Sequence, residues 1–290
     1  PSSRKIFTWV DLDNDKLVQN ISPPTGAATE EYIAFDSTNV GKLTGYLNLI
    51  GAPAAYTAAN VIDFIRGTQV TGLRDRTLTV KDSSGTPVSA VWKLGDSVYS
   101  TPVVVGAPQQ RYDILHGDSG YASFYSLYKN RRQVAYLGAN DGMMHAFNVG
   151  FYHAGDDTVG TPAKIEHGWF SNTTTPDGRG VNIGDELWGF IPQELLPQLQ
   201  WLADPAYTHV YYVDLKPKVT DVRIFPVDAD HPGGWGTILI GGFRMGGSCG
   251  ICTVQGKKLS FSDNFNGVAG ADPARDFLSS YFVLDVTNPD

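Results

Sequence analysis

Three aspartates near the N-terminus stand at alternate positions: Asp11, Asp13 and Asp15. Carboxylates at this spacing in a loop can turn inward around one hard cation, as in the first half of an EF-hand loop. Two features depart from that loop, because Lys16 replaces the turn glycine and Gln19 and Ser22 stand where a closing acid is expected. The pattern therefore predicts a candidate Ca²⁺ site at the three aspartates, with a solvated acidic turn as the alternative.

Cys249 and Cys252 are the two cysteines of the chain. Their spacing is that of a redox pair, half of a zinc site or a haem attachment motif. Haem attachment requires a histidine as the next residue, and Thr253 stands there. A zinc site requires a second pair of ligands nearby, and a thioredoxin-like pair requires a βαβ context; the surrounding sequence offers neither. The residues leave two states open, a local disulfide and two free thiols.

The segment 246–250 matches the nucleophile pattern Gly-x-Ser-x-Gly, which needs a strand, a sharp turn and a following helix. The residues after it predict no helix, so we interpret the match as chance. His145, His209 and His231 have no carboxylate at a fixed spacing, and for His145 we expect a packing role. The sequence also lacks a Gly-x-Gly-x-x-Gly motif and a phosphate loop with lysine. It therefore predicts no catalytic residue.

The composition bounds the class of protein. The chain has 290 residues, of which 42% are hydrophobic, so it is long enough to bury a large core. Its net charge of -8 argues against a nucleic-acid surface, which needs a basic face. No stretch approaches the ~20 apolar residues of a membrane-spanning helix. Abundant glycine, tyrosine and phenylalanine favour many short strands joined by turns.

The segment 132–149 predicts a β-hairpin. Val134 and Tyr136 on one side, and Met144 and Ala146 on the other, are apolar with a period of two. Between them lies Asn140-Asp141-Gly142, and Asp-Gly within alternating hydrophobic residues is a strong hairpin signal. We expect a type I′ turn with positive φ at the glycine, and we expect valine at Gly142 to damage folding.

Other elements follow from local patterns. A helix is expected at 60–67 with Asn60 as its N-cap, and further helices are expected at 117–131 and 193–202. Residues 30–35 fit a helical turn or a short strand. Further strands are predicted at 4–10, 98–105, 186–191, 210–213, 219–225, 237–241 and 280–286.

A weak internal repeat predicts how the strands are organised. The run Val134–Gly138 with its return strand at 145–149 corresponds to Thr237–Gly241 with its return strand at 282–286. The fold class we predict is mainly β, part of a β-propeller with quinoprotein-like blades, helical insertions and an irregular N-terminal segment. Residues 1–85 would form the N-terminal segment and 86–290 two to three blades. Since propellers need about four to eight blades, we expect the rest of the ring from sequence beyond Asp290 or from another copy. The alternative is a self-contained sheet decorated with helices.

The segment Tyr136–Phe147 resembles the hairpin of the PilY family, the large surface proteins that work with type IV pili. Five further segments resemble the family in the same order: Leu94–Pro102, Glu186–Pro192, Tyr211–Asp214, Trp235–Gly242 and Leu284–Pro289. Six motifs in order make the resemblance specific, and it covers about three quarters of the chain.

The resemblance implies an exported protein at the cell surface, associated with the outer membrane or the pilus. It implies a non-enzymatic role in fimbrium biogenesis, adhesion and twitching motility. The implied partners are pilins, other pilus-machinery proteins and a host or abiotic surface. In an exported protein, Cys249 and Cys252 are expected to form a local disulfide. The family's calcium loop follows the motif Leu284–Thr287 at a position beyond Asp290, so the resemblance assigns no calcium ligand within this sequence.

Two other function classes stay open. A quinoprotein-type dehydrogenase shares the blade pattern, in which a Gly-x-x-Asp-Gly hairpin precedes a Glu-Leu-Trp strand. It would need a tryptophan platform, cation ligands and a catalytic aspartate in an axial channel, and we cannot assemble these from the sequence. The third hypothesis is a structural subunit of a surface filament, which would assemble with itself.

Overall fold

Short runs of β-branched and aromatic residues, separated by Gly, Pro and Asp, give a chain dominated by short strands. The computed structural model describes residues 3–12, 30–47, 49, 52–82, 84–154, 168–172, 181–247, 259–261 and 275–289. The strands are Ile6–Trp9 (β1), Tyr32–Ala34 (β2), Thr77–Lys81 (β3), Pro87–Val91 (β4), Val103–Val105 (β5), Gln133–Gly138 (β6), Met144–His153 (β7), Trp169–Ser171 (β8), Glu186–Ile191 (β9), Lys218–Arg223 (β10), Trp235–Gly242 (β11), Leu259–Phe261 (β12), Arg275–Phe277 (β13) and Tyr281–Asp285 (β14).

The helices are short. They comprise Val40–Leu43 (α1), Ala58–Arg66 (α2), Tyr112–His116 (α3), Ser119–Tyr128 (α4) and Leu199–Leu202 (α5), with 3₁₀ turns at Ser37–Asn39, Gln193–Gln198 and Pro232–Gly234. In the part of the chain that the structure describes, no helix combines the length and apolar character needed to span a bilayer.

The largest sheet has the order β2-β1-β9-β7-β6-β5, and β8 pairs with β7. Strands β5, β6, β7 and β9 form a continuous antiparallel unit of four. Strand β1 joins the outer edge of β9 in parallel through three residue pairs, and β2 pairs antiparallel with β1. The N-terminal segment therefore contributes two strands to the sheet built on the predicted hairpin. The division near residue 85 remains a prediction about domains.

The second sheet has the order β10-β11-β14 and is antiparallel. The pairing of β11 with β14 confirms the two strands predicted for the second copy of the repeat. Two antiparallel pairs of strands, β3-β4 and β12-β13, complete the described strands. The prediction of a mainly β fold is confirmed. Among the described residues no sheet closes into a ring, so the propeller is treated below as a proposal.

The central hairpin is confirmed, but its turn differs from the predicted type. Ala139 and Met143 form the last backbone contact at 3.0 Å, which leaves a loop of three residues. A type I′ turn requires positive φ at both central positions, whereas within this loop only Gly142 has it, at +96°. The glycine therefore occupies the single left-handed position of a three-residue hairpin loop.

One hydrophobic core connects the N-terminal segment with both larger sheets. Its fully buried members come from distant parts of the chain, for example Phe35, Phe64, Tyr136, Leu196 and Phe243. A second, aromatic cluster lies where helix α4 covers the start of β11: Tyr121, Phe124, Tyr128 and Trp235. This packing is consistent with the predicted helix over 117–131, observed as α4.

A buried arginine links the two larger sheets. Arg131 precedes β6, and its Nη1 donates to the carbonyl oxygen of Thr287 at 2.7 Å. Its Nη2 donates to Oγ1 of Thr237 in β11 at 3.1 Å, and its Nε donates to the carbonyl oxygen of Gly106 at 2.6 Å. All three nitrogens of one buried guanidinium thus form hydrogen bonds, and two of these bonds cross between the sheets.

Two predicted elements need correction. Helix α2 is capped by Thr57, whose side chain accepts the N–H of Asn60, so Asn60 is not the N-cap; the predicted stop at Gly67 is confirmed. The predicted strand at 210–213 is not observed. That segment follows the hairpin turn through isolated bonds, such as Tyr212 N–H to Oδ1 of Asn140 at 2.9 Å, so it forms no ladder.

Two other predicted elements are shorter or divided. Of the predicted strand at 98–105, only β5 forms. The predicted helix at 193–202 begins as a 3₁₀ turn and continues as α5. Pro197 lies inside the first part and cannot donate a backbone hydrogen bond, which disfavours a regular α-helix there. The short strand predicted as one option for residues 30–35 is observed as β2.

We predict that Gly142→Val destabilises the protein by about 1–3 kcal/mol more than Gly184→Val does. Both glycines have positive φ, +96° and +92°, so both variants carry backbone strain. A Cβ at Gly142 would lie 2.7 Å from Cδ2 of the buried Leu199, whereas a Cβ at Gly184 meets no atom within 4 Å. Urea unfolding of both variants measures the difference, and equal midpoints would contradict the packing assigned to the hairpin turn.

Candidate functional site

The hairpin turn positions a carboxylate, that of Asp141. This side chain accepts the backbone N–H of Gly95 at 2.8 Å and that of Met143 at 3.2 Å. Gly95 approaches so closely that a Cβ there would lie 2.4 Å from the backbone nitrogen of Asp141. Glycine is therefore required at position 95 by the space available. The turn and the segment before β5 are locked together around one carboxylate.

His145 of strand β7 is buried between two carboxylates. Its Nε2 lies 3.0 Å from both carboxylate oxygens of Asp141, and its Nδ1 lies 2.7 Å from Oε1 of Glu186 in β9. Burial lowers the pKa of the imidazole, but the charges and hydrogen bonds of Asp141 and Glu186 together outweigh burial and raise the pKa to about 9. At neutral pH the ring is an imidazolium that donates from both nitrogens.

Glu186 continues this chain of charges to the N-terminal segment. Arg4 donates from Nε to Oε2 at 2.6 Å and from Nη2 to Oε1 at 2.7 Å, a bidentate pair. Burial raises the pKa of Glu186, but the hydrogen bonds and charges of Arg4 and His145 outweigh it and lower the pKa to about 2. We call Asp141, His145, Glu186 and Arg4 the buried charge network.

The buried charge network is suited to holding strands together. The His145 side chain is 1% exposed, and each of its ring nitrogens faces a carboxylate. A general base must have a free lone pair directed at a substrate proton. An imidazolium held on both sides has none. The geometry therefore supports a structural role for this histidine.

A cavity of about 370 Å³ opens beside the hairpin turn. Its apolar lining consists of Ile65, Leu78, Trp92, Leu94 and Leu202, with Tyr207 beside them. Four basic residues also line it: Arg74, Arg76, Lys93 and His209. Asn140 and Asp141 of the hairpin turn complete one side, so the cavity adjoins the buried charge network. We call this space the turn cavity.

Aromatic rings hold the two arginines of the turn cavity. Cζ of Arg76 lies 3.7 Å from the ring centroid of Phe64, and Cζ of Arg74 lies 4.1 Å from that of Tyr207. Nη2 of Arg76 donates to the carbonyl oxygen of Phe64. Within the described part of the chain, the buried Nε of each arginine has no hydrogen-bond partner. Two guanidinium groups are thus fixed by stacking, each with a donor unused.

The acidic residues that line the turn cavity are engaged with other groups. Asp141 belongs to the buried charge network, and Oδ2 of Asp96 lies 2.8 Å from Nε2 of His209. Asp75 accepts the backbone N–H of Thr77 at 2.8 Å. Among the described residues neither Arg74 nor Arg76 forms an ion pair within 4.0 Å. The two arginines of the turn cavity are therefore not paired directly with the carboxylates that line it.

The structure places only part of the residues predicted to bind or react. Asp11 is buried just after β1, and its backbone exchanges hydrogen bonds with the Tyr46 hydroxyl. Asp13, Asp15, Cys249 and Cys252 lie outside the described residues. Across the ranges that are described, no three His, Cys, Asp or Glu side chains are arranged to hold a metal ion. The calcium site and the disulfide therefore remain predictions.

Sequence reasoning missed most of the site. The sequence alone assigns Glu186 and Arg4 only to the starts of predicted strands. Glu186 does carry a signal in the sequence. It is a charged residue at the start of the apolar run 186–191, and a charged side chain that becomes buried needs a partner. Arg74 and Arg76 carried no such signal. Their role depends on Phe64 and Tyr207, which distant segments bring beside them.

Comparison with known proteins identifies relatives of the chain. It is 32% identical over 157 residues to the type IV pilus biogenesis factor PilY1 homolog of Xylella fastidiosa strain Temecula1, which is 53% of this chain and 10% of that relative. It is 30% identical over 196 residues to the type IV pilus biogenesis factor PilY1 of Pseudomonas aeruginosa strain UCBPP-PA14, which is 65% of this chain and 12% of the relative. The corresponding protein of strain PAO1 is 29% identical over 160 residues, 53% of this chain and 10% of the relative.

These matches span about a tenth of the length of the curated relatives. No family model matches the chain. No solved structure matches it either.

We predict that the stability conferred by His145 depends on pH. Its pKa is raised from 6.5 to about 9, so its contribution is fully present below pH 6.5 and is lost as the pH rises through about 9. Glu186, whose pKa falls from 4.5 to about 2, contributes above pH 4.5 and loses its contribution as the pH falls through about 2. His145→Gln should therefore lower the free energy of unfolding most, by about 3 kcal/mol, between pH 4.5 and 6.5.

Denaturant unfolding of both proteins across this pH range measures the effect. His116→Gln is the matched control, since His116 is exposed at the end of α3. The difference between the wild type and His145→Gln should narrow in alkaline solution, while the control should follow the wild type throughout. A difference that stays constant with pH would show that His145 is not protonated in the folded protein.

Proposed function

Because the chain is related in sequence to the PilY family, we propose that it acts in type IV pilus biogenesis as a non-enzymatic binding and assembly module. The observation that carries the proposal is its similarity to three type IV pilus biogenesis factors. The proposed location is the cell surface, in association with the outer membrane or the pilus. The proposed partners are pilins or other proteins of the pilus machinery. We include adhesion to a host or abiotic surface and twitching motility in the proposal.

The geometry of the hairpin supports a non-enzymatic role. His145 lies on the hairpin that resembles the PilY family. Both of its ring nitrogens face carboxylates, and it is sealed from solvent. The hairpin segment therefore uses its ionisable groups to hold β7, β9 and the N-terminal segment together. A rigid frame of this kind suits a protein that binds others through its loops.

We propose that the two larger sheets are neighbouring blades of a quinoprotein-like β-propeller. A propeller blade has four antiparallel strands, as the unit β5-β6-β7-β9 has. The sheet β10-β11-β14 repeats part of this pattern, and Arg131 joins the two sheets through buried hydrogen bonds. A ring of such units in an experimental structure of the whole protein is the expected result, and a closed two-sheet sandwich would contradict it.

Deletion of the encoding gene in the source organism is expected to abolish surface pili and twitching. Expression of the wild-type gene should restore both. Gly142→Val should restore them poorly, because it strains the hairpin turn, whereas Gly184→Val should restore them more fully. Immunoblots of sheared pili and the diameter of twitching zones measure the outcome. Normal piliation in the deletion strain would refute a role in pilus biogenesis.

Two assays on purified protein separate the alternative classes. Reduction of an artificial electron acceptor in the presence of an alcohol would favour the dehydrogenase. Filaments that form as the protein concentration rises would favour a structural subunit. The proposed function requires neither activity.

We also propose that Asp11, Asp13 and Asp15 bind Ca²⁺. A calorimetric titration should give a Kd of about 10⁻⁴–10⁻³ M, the range of extracellular calcium modules. The double variant Asp13→Asn/Asp15→Asn should bind at least about tenfold more weakly, since it removes two of three carboxylates. Asp228→Asn/Asp230→Asn is the matched control, because these residues have the same spacing elsewhere. Equal calcium binding by the two double variants would refute the site.

A further inference from the structure

We propose that the turn cavity binds a small organic anion, a carboxylate carried on an apolar body. This inference goes beyond pilus biogenesis and does not rest on it. The turn cavity combines two arginines that form no ion pair among the described residues, apolar walls and a volume of about 370 Å³. Pockets for small ligands commonly have volumes of about 300–1,000 Å³ and apolar linings with a few polar groups that fix orientation.

The carboxylate would lie against Arg74 and Arg76. Both residues line the turn cavity in the segment just before β3, with Asp75 between them. The Nε of each is buried beyond the reach of a ligand in the turn cavity, so a carboxylate would approach the terminal nitrogens of the guanidinium groups. A carboxylate accepts from guanidinium groups in a well-defined plane. One bound carboxylate would pair with both arginines.

The side chains of Arg74 and Arg76 are preorganised in the absence of a ligand. Stacking on Phe64 and Tyr207 restricts both guanidinium groups. The backbone N–H of Arg74 donates to the carbonyl of Ala203 at 2.8 Å, and the carbonyl of Arg76 accepts from Trp92 at 2.9 Å. Side chains that are already ordered lose less entropy on binding. The segment from Arg74 to Arg76 therefore offers a preformed anion site.

The apolar body of the ligand would contact Trp92, Leu94 and Leu202. Trp92 is 57% exposed although it lines the turn cavity, so its ring is available at the entrance. Large aromatic side chains bury much apolar area when a ligand covers them. A compact inorganic anion would use the arginines and leave this wall bare. The combination favours an organic carboxylate over free phosphate.

The test is a calorimetric titration of the whole chain with 3-phenylpropionate, its neutral amide 3-phenylpropanamide, and inorganic phosphate. The carboxylate should bind with a Kd below about 1 mM. The amide has the same shape without the charge and should bind at least about tenfold more weakly. Equal affinity for the acid and the amide would overturn the role of the arginines. Phosphate that binds as tightly as the acid would overturn the role of the apolar wall.

Variants locate the site. Arg74→Gln and Arg76→Gln should each weaken binding of 3-phenylpropionate about tenfold or more, and Trp92→Ala several-fold. Arg223→Gln is the matched control. It removes the same charge as the other two variants, but Arg223 lies on β10 and does not line the turn cavity. Arg76→Gln removes the stack on Phe64 and can unfold the protein. In that case the affinity of Arg74→Gln for 3-phenylpropionate and the affinity of the wild type for the neutral amide test whether the arginines bind the carboxylate. Unchanged affinity in Arg74→Gln would overturn the proposal.

Discussion

The buried charge network is the constraint on which the rest of the structure depends. A buried ion is stable only when its partners satisfy it, and removing one partner leaves a charge that the protein interior cannot solvate. The charges alternate in sign along the chain of bonds from Asp141 through His145 and Glu186 to Arg4. Each charge is therefore compensated by its neighbour in this chain. Strand β1 pairs with β9 through only three residues, and the bidentate bond from Arg4 to Glu186 adds a specific contact at that edge.

The fold could be predicted where local pattern and tertiary structure agree. The hairpin followed from Asp141-Gly142 within alternating hydrophobic residues, and the strands β11 and β14 followed from the internal repeat. The parallel addition of β1 to β9 could not be predicted, because Arg4 and Glu186 are separated by 182 positions and neither has a local motif. The segment 210–213 looked like a strand since it is apolar, yet its bonds go to the side chain and backbone of a turn, and no ladder forms.

The site was less predictable than the fold for a physical reason. Motifs reveal chemistry when the reacting groups lie close together in the sequence, and here they do not. His145 has two carboxylate partners, of which Asp141 is four residues away and Glu186 is 41 residues away. The unused donors of Arg74 and Arg76 become visible only when the rings of Phe64 and Tyr207 are placed beside them. The composition gives no hint of the turn cavity, because a net charge of -8 does not predict a cavity lined by basic residues.

Asp141 belongs to the buried charge network and also lines the turn cavity. This shared residue connects the bonds that hold the strands together with the proposed ligand site. Its carboxylate accepts from His145 and from the N–H of Gly95, and it lies beside the turn cavity. Burial, and then the charge of Arg74, lowers the pKa of Arg76 to about 10, while the charge of Asp141 acts in the opposite direction. The carboxylate that locks the hairpin therefore also acts electrostatically on the neighbouring arginine.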